Sequence, residues 1–129
     1  MKLFKTLNLF LFLLLPNLII GQNQDSLFNK FQPKFYNING YKINVEVLGE
    51  GDPIVFLAGG PGNSHDYMQG NFGQYYKTNK VIFIDFLGRG LSDDAKDKSE
   101  YSIMNDVEIL EEVRKELKIN KFSIVGHSY

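Results

Sequence analysis

Residues Phe122–Tyr129 read Phe-Ser-Ile-Val-Gly-His-Ser-Tyr, a short β-prone run that ends in Gly126-His127-Ser128-Tyr129. A continuous apolar run bounded by a turn signal is the mark of a strand covered on both faces. Two earlier segments have the same form. Ile54–Ala58 (IVFLA) runs into Gly59-Gly60-Pro61-Gly62, and Val81–Phe86 (VIFIDF) runs into Leu87-Gly88-Arg89-Gly90-Leu91-Ser92-Asp93. Buried strands that each end in a glycine-rich turn point to an open α/β sheet, whose working surface lies at the carboxyl ends of its strands.

The segments around these strands fit that class. Ile103, Val107, Leu110, Val113 and Leu117 recur at spacings of 4, 3, 3 and 4 with acids and bases between them. This is an amphipathic helix, with Ser102 as its N-cap. A weaker helix is expected within Ser64–Tyr76, where Gly70 and Gly73 lower the propensity. Upstream, Phe35–Ile38 and Tyr41–Leu48 flank Asn39-Gly40. Asn-Gly between two β-prone runs is a hairpin signal, because both central residues of the turn need positive φ. In the second run Tyr41, Ile43, Val45 and Val47 alternate with Lys42, Asn44 and Glu46, so one face is expected to be wet. The order is an antiparallel hairpin leading into a mostly parallel sheet with crossover helices, over residues 35–129.

Composition agrees and narrows the function. The chain of 129 residues is 43% hydrophobic, too apolar for a disordered segment. Fourteen Lys and Arg against 15 Asp and Glu give a net charge of −1, which argues against a nucleic-acid partner. There is no cysteine, so disulfides, thiolate metal sites and a cysteine nucleophile are excluded, and His65 and His127 alone cannot form a multi-histidine metal cage. No metal or organic cofactor is expected. Residues 1–21 (MKLFKTLNLFLFLLLPNLIIG) have two early lysines, an apolar run of about 14 residues and a small residue at the end. That is the layout of a secretory signal peptide, and the run is short of the ~20 residues a membrane-spanning helix needs. The chain is therefore expected to be exported, cleaved near Gly21, without a stable membrane anchor. Cleavage would remove Lys2 and Lys5 and take the net charge from −1 to −3. Residues 22–34 form an N-terminal extension.

The three turns carry the chemistry. A strand followed by Gly-x-Ser-x-Gly is a nucleophile elbow, which sets a serine on a strained turn between strand and helix. Gly126-His127-Ser128-Tyr129 supplies the first four positions, and a plain turn after a strand is the alternative reading. Acyl transfer also needs donors for a tetrahedral oxyanion. In the elbow architecture one is the amide after the nucleophile, here Tyr129, and the other comes from the turn after an earlier buried strand. Pro61 has no N–H, so Gly60 is the donor expected from Gly59-Gly60-Pro61-Gly62. The turn Asp85–Asp93 reads as scaffold, with Asp85 or Ser92 satisfying loose backbone amides. Its glycine spacing lacks the full dinucleotide fingerprint.

Taken in order, Gly59-Gly60-Pro61-Gly62-Asn63-Ser64-His65-Asp66-Tyr67, Asp85-Phe86-Leu87-Gly88-Arg89-Gly90-Leu91-Ser92-Asp93 and Gly126-His127-Ser128-Tyr129 resemble three motifs of the α/β-hydrolase superfamily. Within it the first string is most similar to the proline iminopeptidase group of serine peptidases. The resemblance implies a Ser-His-Asp enzyme with Ser128 as nucleophile and the Gly60 and Tyr129 amides as oxyanion hole. It departs at Ala58, where the family usually has His, and at Phe86, where the group commonly has Gln. His127 is expected to be an elbow spacer with its ring turned away. His65 matches a family position of structural or loop-shaping role. In the resembled family the acid and the base come after the elbow, so the sequence reads as the N-terminal half of an α/β-hydrolase domain, truncated at the elbow. Such a fragment is expected to be inactive and poorly soluble. The expected substrate is a small peptide or ester. An esterase or carbon–carbon-bond hydrolase on the same fold is the alternative enzyme, and a non-catalytic binding protein the alternative of another class. A serine nucleophile disfavours haloalkane dehalogenases and epoxide hydrolases, which the fold serves with aspartate.

Overall fold

The computed structural model describes residues 27–60 and 62–128. The expected signal peptide, Pro61 and Tyr129 lie outside the described residues. The strands are β1 (Lys34–Ile38), β2 (Tyr41–Leu48), β3 (Pro53–Leu57), β4 (Lys80–Ile84) and β5 (Ser123–Gly126). Helix α1 (Asp66–Phe72) continues into a 3₁₀ turn, Gly73–Lys77, and helix α2 spans Ile103–Glu116. The strands form one sheet in the order β1-β2-β4-β3-β5. β1 pairs with β2 and β2 with β4 antiparallel, while β3 pairs in parallel with both β4 and β5.

Local chemistry accounts for these elements. Asn39 and Gly40 take φ of 53° and 83°, the two positive values the hairpin turn requires. Ser102 is extended and its side chain accepts from the Asn105 amide, so it caps α2 as expected. From Val81 onward β4 is apolar and buried, because it is covered on both faces. Val81 and Phe83 pack with Phe31, Phe56 and Met68 on the α1 side, while Ile82 and Ile84 pack with Ile43, Val45, Ile109 and Val113 on the α2 side.

Three expectations need correcting. The second hairpin strand has no continuous wet face: Lys42 is exposed, but Asn44 and Glu46 are buried, because α1 and the segment before it cover that side of the sheet. β5 pairs with β3 but is exposed along its whole length among the described residues, so it lacks the double coverage its apolar run predicts. On α2 the apolar stripe is buried only over Ile109, Leu110 and Val113, while Ile103 and Val107 are exposed.

Candidate active site

The parallel strands bring their three following turns to one end of the sheet. Leu57 pairs with Gly126, and the His127 amide donates to the Leu57 carbonyl at 3.2 Å. That register sets the Gly59 turn against the turn that carries Ser128. A methyl group on Gly59 would strike the His127 carbonyl and come within 2.7 Å of Ser128 Cβ, so only glycine lets the two turns approach this closely. Ser128 itself has φ of 55°, a left-handed conformation that costs an L-residue roughly 1–2 kcal/mol. Strain of this kind persists only where its surroundings impose it.

Side chains from the start of α1 hold the glycine turn. Asn63 Nδ2 donates to the Gly59 carbonyl at 3.0 Å, and the Gly59 amide donates to the Tyr67 hydroxyl at 2.8 Å. The same hydroxyl lies 3.0 Å from His127 Nδ1. Gly59, Gly60, Asn63, Tyr67, His127 and Ser128 line one open groove of about 290 Å³. A second, apolar cavity of about 180 Å³ reaches Ser128 beside Leu57, Ala58, Phe86, Ile103 and Val107.

The structure thus brings Ser128 and Gly60 into one groove, while Tyr129 lies outside the described residues. The His127 ring packs edge-on against Tyr67, with centroids 5.6 Å apart. Asn63 and Tyr67 were present in the glycine-turn string without a role. A polar residue and a phenol within one turn of a glycine-rich loop are the signal that could have marked them.

A second polar cluster lies inside the protein. His65 Nδ1 is 2.7 Å from Asp85 Oδ1, and its Nε2 is 3.0 Å from Gln69 and 3.5 Å from Glu46 Oε1. The ring stacks on Phe83, and His65 is 1% exposed. Burial alone would lower the imidazole pKa, but hydrogen bonds and charge from Asp85 and Glu46 outweigh it and raise it from 6.5 to about 9. Burial opposes ionisation of Asp85 and Glu46 as well, yet bonds from His65, Asn44 and neighbours hold both carboxyls below their ordinary values. The Gln69 amide nitrogen facing Nε2 suits a neutral ring, whereas two carboxylates suit a charged one. Attraction to two carboxylates in a dry site outweighs one amide contact, and the ring is taken as imidazolium.

Asp85 is the hub of this cluster. Its carboxylate also accepts from the His65 and Leu91 amides and from Asn44 Nδ2. Ser92 Oγ donates to the Asp85 carbonyl and accepts the Asn44 amide. The turn Asp85–Asp93 is scaffold, as the sequence implied. Both nitrogens of His65 are engaged inside it, so His65 is not placed to serve Ser128.

Ser128 thus sits in a left-handed conformation at the end of a parallel strand, against a glycine turn. A family model described as alpha/beta hydrolase fold matches residues 52–129, and the chain belongs to that family. Within it the chain is similar to proline iminopeptidases. It is 39% identical over 118 residues to the proline iminopeptidase of Saccharolobus solfataricus, covering 74% of this chain and 36% of that one. A proline iminopeptidase-related protein of Thermus thermophilus superposes with a TM-score of 0.70 at 22% identity, covering 75% of this chain and 36% of that one. An epoxide hydrolase from Vigna radiata superposes with a TM-score of 0.68 at 22% identity, over 78% of this chain and 32% of that one. At those identities the two solved structures speak for the fold alone. The chain spans about a third of the length of the curated relatives it matches.

Proposed function

We propose that this chain carries the nucleophile and oxyanion turns of an exported serine hydrolase, most like a proline iminopeptidase-type aminopeptidase. The observation that supports this best is Ser128 at φ of 55° at the end of β5, in the same groove as Gly60. In this reading Ser128 Oγ attacks the substrate carbonyl, and the oxyanion is met by the Gly60 and Tyr129 amides. The acyl-enzyme is then hydrolysed by water. His65 is sealed in its ion cluster and His127 is held against Tyr67. The general base and its acid partner are therefore assigned to the part of the whole protein that follows residue 129, and these residues alone are expected to be inactive. Export rests on the arrangement of residues 1–21.

A small-ester substrate is the second reading. Ala58 and Phe86 replace the polar residues of the peptidase pattern, and both line the apolar cavity that reaches Ser128. The test is covalent labelling of the full-length protein by a fluorophosphonate, with Ser128→Ala as control. Labelling lost in Ser128→Ala supports the nucleophile, and labelling retained there removes it. Release of proline from a proline arylamide, compared with cleavage of a short acyl ester, separates peptidase from esterase.

A further inference from the structure

We propose that Tyr67 is a positioning residue that locks the first oxyanion turn to the nucleophile turn through a single shared hydroxyl. The inference rests on the reading of Ser128 as nucleophile. The hydroxyl accepts the Gly59 amide at 2.8 Å and meets His127 Nδ1 at 3.0 Å. A phenol can accept and also give one proton, so the oxygen that accepts the Gly59 amide is placed to share a second hydrogen bond with Nδ1.

Two consequences follow for the groove. The Gly59 amide is committed to Tyr67 and the Gly59 carbonyl is held by Asn63 at 3.0 Å, so the two peptide planes that flank Gly59 are both held, the second of which carries the Gly60 amide. Gly60, at φ of 74°, then presents an amide for which no acceptor is found among the described residues. On the other side, His127 immediately precedes Ser128, so fixing its ring limits rotation of the strained turn. Tyr67 stands in the first turn of α1, which is anchored to the sheet by buried Met68 and Gln69. The distance between the two turns is thereby referenced to the core, although Tyr67 itself is 40% exposed. That exposure separates the role from simple packing, because removing a half-exposed hydroxyl costs the fold little.

The experiment is steady-state kinetics of the full-length protein and its Tyr67→Phe variant on an activated acyl substrate. Binding of a trifluoromethyl ketone, which forms an oxyanion, is measured beside them. Deleting an oxyanion donor outright costs about 10²–10³-fold in kcat, and loosening its support is expected to cost about 10-fold. The expected result is that fall in kcat with KM unchanged, a matching loss of ketone affinity, and an unmoved thermal midpoint. His127→Leu, which removes only the hydroxyl's ring partner, is expected to lose less, and the double variant no more than Tyr67→Phe. If Tyr67→Phe does not fold, His127→Leu must still lower kcat and ketone affinity together. A wild type labelled at Ser128 whose variants keep wild-type kcat and ketone affinity overturns the lock alone. A wild type that the fluorophosphonate leaves unlabelled overturns the nucleophile reading as well.

Discussion

The two histidines stand at the same end of the sheet and do opposite work. His65 has the marks usually sought in an active site: a carboxylate at 2.7 Å, a second carboxylate nearby and a raised pKa. Yet both ring nitrogens are engaged, and the ring is buried and stacked on Phe83. His127 is exposed, held by one phenol, and next to a serine in a strained conformation. A perturbed histidine–aspartate pair is therefore a poor guide here, because saturation and burial mark a structural device. Strain, exposure and an uncommitted Gly60 amide set the Ser128 groove apart from it.

The contrast can be broken from its buried side first. Asp85→Ala would leave the His65 imidazolium, two backbone amides and Asn44 without their acceptor. A loss of about 3–5 kcal/mol in urea unfolding of the full-length protein is expected, and a loss below 1 kcal/mol would refute the hub. The pH dependence comes next. Because the folded pKa of His65 is raised, its contribution is complete below about 6.5 and is lost as pH rises through about 9. Asp85 and Glu46 are depressed, so theirs holds above ordinary values of 3.8 and 4.5 and is lost as pH falls. Stability should peak between those limits and decline toward pH 9 by at most on the order of 3 kcal/mol. Gln and Asn in place of Glu46 and Asp85 should abolish that alkaline decline. On the groove side, Gly59→Ala places a methyl against His127 and Ser128. About 1–3 kcal/mol of destabilisation and loss of serine labelling are expected, and an unimpaired variant would show that the two turns need not touch. The smallest effect belongs to His127→Leu, whose unfolding free energy should move by about 0.5 kcal/mol or less, the opposite of Asp85→Ala.

Much of this arrangement was legible in the chain. Asn39-Gly40 and Ser102 specify their elements through turn chemistry and capping, and the apolar runs of β3 and β4 through burial, whereas the run of β5 marks its strand without such coverage. The buried cluster was not legible, because Asn44 and Glu46 sit on a strand whose alternation matches a solvated face. Only the path of the chain into α1, well downstream of that strand, covers them with His65 and Gln69. The groove was read in half. Gly60 and Ser128 follow from the strand-end turns, whereas the bond from Gly59 to Tyr67 depends on where α1 packs, which no local pattern encodes.

The register of β5 has a consequence for the order of assembly. The Asn39–Gly40 hairpin closes within a few residues, but joining Ser123 to Ile54 must gather the whole intervening chain, and such long-range parallel pairing is slow. The left-handed backbone angle of Ser128 follows directly on β5, so transient fraying of that strand would release it without unfolding the core. Amide hydrogen exchange should show this as β5 exchanging early and β4 last, with the Ser128 turn assembled last on a sheet already formed.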